Sequence, residues 1–275
     1  MSVKSVNFLR YPGGKQRLLR YLLFYLPIQP SIQGRFVEPF VGGGAVFLAL
    51  EPQQAVLSDI NEELIDLYRG LQHYPDRVWD LFQAFPPTKE AYYEIRNAGV
   101  EQLDLASRAA RTLYLTRTCF KGMWRHNIHG QFNVGYGGQD RRWVIGKETL
   151  LEVSKRLTST ELRVSDFEAV LDLCLEEDFL FIDPPYRPGE REIFRMHYAY
   201  CAFSYSDQVR LAHALERATH RGVRWAMTNS SHPDIVSLYQ YHRVIPLPKG
   251  TGKQPGIITQ NSGEVLICNY EEKSE

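Results

Sequence analysis

Apolar positions along the chain alternate between short unbroken runs and stretches with helical spacing. RFVE at the start of 35–51, AVLSDIN (55–61), ELRVSDF (161–167) and DFLFID (178–183) are the short runs, and their length and β-branched content predict buried strands. RWAMTNSS (224–231) and GEVLICNYE (263–271) add two more. Three glycines in EPFVGGGAVF lead from the first run into an apolar helical stretch, so 35–61 predicts a βαβ unit. EAVLDLCLEE (168–177) is amphipathic at helical period. SDQVRLAHALERATHRG (206–222) predicts a longer helix, with Ser206 or Asp207 near its N-cap and Gly222 as its stop. Strands alternating with helices predict an α/β fold built on a doubly wound, mostly parallel sheet.

The pattern changes over 62–117. EELIDLYRGLQHYPDRVWDLFQAF and EQLDLASRAARTLYLTR carry apolar residues at helical spacing on either side of a break at FPPTKE, which predicts a helical insert. TCFKGMWRHNIHGQFNVGYGGQDRRW (118–143) follows, rich in Gly, Asn and aromatics, and HNIHGQF at its centre reads as a hairpin turn. The division expected is therefore a core of 1–61 with 147–275, and a helical insert of 62–146 carrying a hairpin over 118–137. There is no internal repeat.

Composition narrows this picture. With 275 residues and 44% apolar content, the chain suits a core domain with a smaller attachment. It contains no run near the roughly 20 apolar residues a membrane span needs, and MSVKSVNFLRYPGGKQ lacks a signal-peptide core. A cytoplasmic protein with no membrane partner is expected. Four scattered cysteines without C-x-x-C spacing predict reduced thiols. Net charge is zero but segregated. Residues 1–37 hold six basic residues and no acid, and 108–147 hold eight against Asp140 alone, which leaves −13 for the remainder. Such segregation points to a polyanion on one face, with nucleic acid as its partner.

Four segments carry chemistry. In EPFVGGGAVF, glycines allow close backbone approach at a helix N-terminus, and Asp59 closes the next strand 17 positions beyond Gly42. That spacing suits an acid on ribose hydroxyls, although the full G-x-G-x-x-G is absent. RYPGGKQRLL (10–19) lacks the spacing of a phosphate loop, so a triphosphatase is disfavoured and a turn holding Lys15 near a carboxylate-bearing ligand fits better. FLFIDPPY (179–186) sets an acid and two prolines at the end of a buried run, where ligands sit in a doubly wound sheet. Asp183 and the Pro184 carbonyl supply two acceptors for an exocyclic amino group, and Tyr186 a flat face for a base. In the last segment Phe120, Trp124, Phe132 and Tyr136 interleave with Lys121, Arg125 and Asn127, side chains suited to stacking and to base edges. His126 and His129 are only two potential ligands, and no metal site is expected.

In their order, these segments resemble the Dam-type (class alpha) family of DNA adenine-N6 methyltransferases. RYPGGK, EPFVGGG, DIN, KGMWRHNIHGQFNV and DPPY match its motifs, over most of the chain. The resemblance implies S-adenosylmethionine as cofactor, with S-adenosylhomocysteine as product. Its site would be formed by Tyr11, Lys15, Glu38, Phe40, Gly42, Gly44, Asp59, Asp166, Phe167 and Asp183. Asp59 would hold the ribose, and Asp166 with Phe167 would meet the adenine of the cofactor. Asp183, Pro184 and Tyr186 are the implied catalytic residues, gripping and stacking a flipped-out adenine.

Double-stranded DNA is the implied partner, with no obligatory protein partner, and the 62–146 insert becomes a DNA-recognition domain. Arg10, Phe120, Lys121, Met123, Arg125, Asn127 and Asn133 would face the DNA, at GATC or a related short site. Three positions depart from the family pattern: Lys121 stands where Asn is usual, Gly135 where Pro is common, and Tyr11 where Trp is common. Cytosine-N4 methylation uses the same amine geometry, and a non-catalytic DNA-binding protein with a relict pocket would keep the basic hairpin. Neither alternative is closed at this level. The long stretch after DPPY, RPGEREIFRMHYAYCAFSYSD, is expected to form a mobile loop closing on the site.

Overall fold

A computed structural model describes residues 6–27, 31–127, 129–186, 203–250, 258–259 and 263–271. Its centre is a seven-stranded sheet. The strands are β1 (Phe36–Glu38), β2 (Ala55–Asp59), β3 (Thr160–Val164), β4 (Phe179–Ile182), β5 (Arg224–Ser230), β6 (Arg243–Pro246) and β9 (Glu264–Cys268). Two-residue strands β7 (Lys249–Gly250) and β8 (Ile258–Thr259) pair separately. The order is β3-β2-β1-β4-β5-β9-β6, parallel from β3 to β5, with β9 antiparallel to both of its neighbours. The doubly wound α/β expectation therefore holds. Succession reverses between β1 and β4, so the crevice beyond their carboxyl ends is the topological switch point.

Both faces of the sheet are covered, which explains the unbroken apolar runs. In β4, Phe179 and Phe181 enter one core while Leu180 and Ile182 enter the other, and all four are fully buried. Burial of such side chains contributes roughly 1.5–3 kcal/mol each. On the first face lie α1 (Leu19–Tyr25), α2 (Ala45–Leu50), α3 (Glu62–His73), α4 (Pro75–Ala84), α6 (Leu105–Thr118) and α7 (Lys147–Leu157). Helix α5 (Lys89–Asn97) packs on α6. The opposite face is covered by α8 (Phe167–Asp172) and α9 (Tyr205–His220). The helical insert shares its apolar core with the first sheet face, through Leu64, Leu67, Tyr68, Leu113 and Tyr114.

Several expectations shift at the boundaries. The N-cap of α9 is Ser204 rather than Ser206 or Asp207; Ser204 and Asp207 form a capping box, which places the helix start earlier. Arg221 is its C-cap, and Gly222 follows at φ +82°. Among its described residues the 118–137 segment pairs at two isolated bridges, Cys119–Tyr136 and His126–Phe132, in place of a continuous ladder. Strand β6 and helix α7 carry weaker patterns and were not anticipated. Cys119, Cys174 and Cys268 are free and buried. No helix among the described residues is long and apolar enough to cross a membrane. The stretch after DPPY, with its expected loop closure, lies almost wholly outside the described residues.

Candidate active site

Strand β1 ends in Glu38, and the chain then turns through Gly42 and Gly44, at φ +47° and +61°, into α2. A Cβ on Gly44 would lie 2.7 Å from the Tyr68 hydroxyl, which donates to the Gly42 carbonyl at 2.9 Å. A Cβ on Gly42 would meet the Tyr11 ring at 3.3 Å. Tyr11 thus lies over the turn, close enough for its hydroxyl to accept from Asn61 Nδ2 at 3.4 Å. These glycines are required by positive φ and close approach together.

Asp59 closes β2 beside this turn. Its carboxylate accepts from the Gly42 N–H at 3.2 Å and the Asn61 N–H at 3.0 Å. Burial nonetheless pushes its pKa up to about 6. Glu38 is nearly inaccessible, and its Oε2 has no hydrogen-bond partner among the described residues. Burial, with the Asp183 charge adding to it, holds the Glu38 carboxyl well above the usual carboxylate range. An orphaned acceptor this deep is costly unless a ligand supplies the donor.

Asp183 stands at the end of β4, across the switch point from Glu38. One oxygen, Oδ1, receives both the Lys15 ammonium at 2.9 Å and the Thr228 hydroxyl at 2.7 Å. Lys15 is buried, also donates to the Gly13 carbonyl at 2.8 Å, and stands 4.8 Å from the Tyr186 ring centre. Among the described residues no hydrogen bond falls on Asp183 Oδ2 or on the Pro184 carbonyl. The Pro185 carbonyl, by contrast, accepts from Gln208 Nε2 at 2.9 Å. Burial raises the Tyr186 hydroxyl far above its ordinary pKa. Glu264, at the start of antiparallel β9, arrives at the same end of the sheet; burial and the Asp183 charge raise its carboxyl, and Lys15 opposes them.

Asp166 and Phe167 lie differently from a ligand-facing pair. Asp166 Oδ1 caps α8 by accepting from the Glu168 N–H at 3.0 Å, and Oδ2 pairs with Arg210 at 2.7 Å. The Phe167 ring is buried between Phe40, at 5.4 Å, and the Arg210 guanidinium, at 4.5 Å. Phe203 completes the cluster at 5.6 Å from Phe40.

The basic segment sits against the N-terminal strap. Gly122, at φ +68°, approaches Arg10 so closely that a Cβ there would lie 2.9 Å from the Arg10 Cβ. Arg117, buried at the end of α6, holds the strap by donating to the carbonyls of Phe8 at 2.7 Å and Asn7 at 3.3 Å. Burial, with Arg10 nearby, lowers the Arg117 pKa to about 10. Phe120 and Lys121 are exposed, the ammonium 5.2 Å from the Phe120 ring, and Lys121 adopts the left-handed conformation at φ +55°. Met123 is half-buried, and its carbonyl lies 3.3 Å from the Cys119 thiol.

Arg125 donates to Asn133 Oδ1 at 2.7 Å, so the two act as a unit. Asn127 shapes the tip, its Oδ1 accepting from the N–H groups of His129 at 2.9 Å and Gln131 at 3.0 Å. The sequence shows no acid beside His126, yet folding brings Glu63 Oε2 to 2.8 Å from its Nε2. No group of three potential metal ligands gathers among the described residues.

The structure therefore brings Tyr11, Lys15, Glu38, Gly42, Gly44, Asp59, Asp183 and Tyr186 to one crevice. Thr228, Gln208, Asn229 and Glu264 also belong to this neighbourhood, and they were missed by sequence reasoning, as was Arg117 at the end of α6. Only TNS, polar at the end of an apolar run as Asp59 and Asp183 are, carried a signal.

A glycine turn, a strand-end acid and a D-P-P-Y segment brought together at the switch point of a doubly wound sheet are the site features of an α/β nucleoside-binding enzyme. The chain matches the model of the D12 class N6 adenine-specific DNA methyltransferase family over residues 11–249, and it belongs to that family. It is 32% identical to the type II methyltransferase M1.LlaDCHI of Lactococcus lactis subsp. cremoris, over 96% of this chain and 95% of that protein. With the type II methyltransferase M.MjaIII of Methanocaldococcus jannaschii it shares 31% identity, over 98% and 100% respectively. With the DNA adenine methylase of Escherichia coli it shares 28%, over 87% and 85%. The protein is an adenine-specific DNA methyltransferase.

Proposed function

We propose that the methyl donor is S-adenosylmethionine and that Asp183, Pro184 and Tyr186 present a flipped adenine to it, within GATC or a related short duplex site. The observation that carries the catalytic part is the division of labour at Asp183. Lys15 and Thr228 occupy Oδ1, which leaves Oδ2 and the Pro184 carbonyl as two acceptors at the mouth of the switch point.

An aromatic amino group is a weak nucleophile because its lone pair is shared with the ring. Two acceptors held off the ring plane favour a tetrahedral nitrogen and free that lone pair, so the enzyme contributes chiefly positioning and electrostatics. Tyr186 offers a face for the base, and Lys15 holds Oδ1 of the Asp183 carboxylate. When bound, S-adenosylmethionine supplies a methyl group on a cationic sulfonium.

The residues present fit this cofactor. Glu38 Oε2 lacks the donor that an α-amino group would bring, and Asp59 keeps acceptor capacity beside the glycine turn for ribose hydroxyls. Glu38, Asp183 and Glu264 gather acidic groups around a single lysine, which favours a cationic donor over its neutral product. Tyr11, Phe40, Gly42 and Gly44 would shape the remaining walls. Asp166 and Phe167 would border the adenine through the Phe40–Phe167–Phe203 cluster.

Residues 62–146 serve as the recognition part. Arg10, Phe120, Lys121 and the Arg125–Asn133 unit contact duplex DNA, Met123 and Asn127 shape that surface, and Phe120 offsets the cost of extruding the base. The test is to methylate a random-sequence duplex library with S-adenosylmethionine and map every modified base, with Asp183→Asn as control. N6-methyladenine confined to GATC is expected, with at least ~100-fold loss in the variant. Modification in another short motif overturns the target assignment, and full activity of Asp183→Asn overturns the catalytic one.

A further inference from the structure

Behind the D-P-P-Y turn lies a polar layer without solvent exposure. Thr228 and Asn229 end β5 and Gln208 lies in the first turns of α9, each 0% exposed. Around them the same layer is apolar, with Ile182, Leu211 and Met227 also at 0%. Buried polar groups are costly unless every donor is satisfied, so apolar residues would fill this space more cheaply. All three instead direct hydrogen bonds toward the turn. Thr228 Oγ1 donates to Asp183 Oδ1 at 2.7 Å, and Gln208 Nε2 donates to the Pro185 carbonyl at 2.9 Å. Asn229 Nδ2 donates to Gln208 Oε1 at 3.0 Å, which orients the Gln208 amide, while its own oxygen takes the Ser230 N–H at 2.7 Å.

We propose that Thr228 and Gln208 are positioning residues for methyl transfer, Thr228 setting the Asp183 carboxylate and Gln208 setting the proline turn, with Asn229 orienting Gln208. This rests on Asp183 and Pro184 being the pair that grips the amino group. Thr228 has one hydroxyl proton and commits it to Oδ1, so with Lys15 it fills that oxygen and turns Oδ2 outward. The Pro185 ring fixes φ, which leaves one soft torsion, the Pro185 ψ, between the carbonyl held by Gln208 and the Pro184 carbonyl. Anchoring the first therefore aims the second. Strand register makes the arrangement possible: Ile182 pairs with Met227, so the next residue of each strand, Asp183 and Thr228, emerge side by side.

The test compares kcat, the KM for duplex DNA, the KM for S-adenosylmethionine and the melting temperature of Thr228→Val, Thr228→Ser, Gln208→Met and Asp183→Asn with the parent protein. Misplacing an acceptor lowers the rate of the chemical step with little effect on ground-state binding. Thr228→Val is expected to lower kcat by about 10–100-fold with both KM values within about threefold, and Thr228→Ser to restore kcat to within about threefold. Gln208→Met is expected to lower kcat by about 10-fold. A kcat for Thr228→Val within twofold of the parent, or a Thr228→Ser enzyme as slow as Thr228→Val, overturns the proposal. If Thr228→Val does not fold, Thr228→Ala against Thr228→Ser makes the same decision: slow and fast support it, equal rates overturn it. An inactive Asp183→Asn beside a fully active Thr228→Val removes only the positioning roles, whereas an active Asp183→Asn removes the acceptor pair itself.

Discussion

Replacing Asp59 with Asn separates stability from cofactor binding in opposite directions. In the folded protein Asp59 titrates at about 6, above the ordinary carboxylate value, because burial outweighs the backbone N–H groups that donate to it, those of Asn61 and Gly42 foremost. A raised carboxylate pKa means that the ionised group costs stability above about pH 6, and that this cost is relieved as pH falls through 6 toward the unfolded value near 4. Asp59→Asn keeps the shape without the charge, so the cofactor-free variant at pH 8 is expected to melt no lower than the parent. Cofactor binding is expected to respond the other way. The neutral amide offers one acceptor oxygen where the carboxylate offers two, and its NH₂ faces either Gly42 N–H or Asn61 N–H. Loss of one charge-assisted hydrogen bond costs about 1.5–3 kcal/mol, or roughly 10–100-fold in the KM for S-adenosylmethionine, with kcat little changed. In the parent, that KM is expected to rise as pH falls below about 6, and in Asp59→Asn this dependence is expected to flatten. Isothermal titration with the product S-adenosylhomocysteine and initial rates between pH 5 and pH 8 measure both quantities. An unchanged KM in the variant, or a pH dependence that survives the substitution, refutes the ribose role of Asp59.

Other perturbations report on the glycine turn and on the recognition loop. Gly44→Ala sets a Cβ at φ +61° within 2.7 Å of the Tyr68 hydroxyl, so destabilisation of about 1–3 kcal/mol is expected in urea titration, together with weaker cofactor binding. A stability equal to the parent's would show that the turn relaxes freely. Lys121→Asn replaces a non-glycine residue at φ +55° with one that tolerates this conformation, so a gain of roughly 0.5–1 kcal/mol in unfolding free energy is expected, with a higher KM for DNA. If Lys121→Asn lowers stability, the backbone strain assigned to this residue is wrong.

Much of the crevice was legible because its residues terminate elements. Asp59 and Asp183 each end an apolar run, where ligands sit in a doubly wound sheet, whereas Glu38 came only from the family resemblance. Gly42 and Gly44 stood out as a glycine run between a strand and a helix, and the structure gives the reason: positive φ combined with the close approach of Tyr11 and Tyr68. The recognition segment was legible in composition but less so in role. Asn127 has a side chain suited to a base edge, and its Oδ1 also ties the loop tip together, which no local pattern showed. Phe167, which the family resemblance implies at the cofactor's adenine, lies packed between Phe40 and Arg210, a contact no local pattern showed. Ser204 was missed as the α9 cap because the helical pattern starts after it, while the reciprocal bonds with Asp207 are local geometry.

By itself, the chain determined the fold class, most of the succession of strands and helices, and the family, because period, strand-ending acids and glycine turns are properties of neighbouring residues. Tertiary structure alone decided which distant groups share an atom. Lys15, Asp183 and Thr228 are spread over more than two hundred positions, yet they meet at one carboxylate oxygen. Glu63 and His126 likewise become a pair only when α3 meets the 118–137 loop. Such meetings depend on sheet order and strand register, which are set by long-range pairing and the burial of two cores, and no short window of sequence contains them.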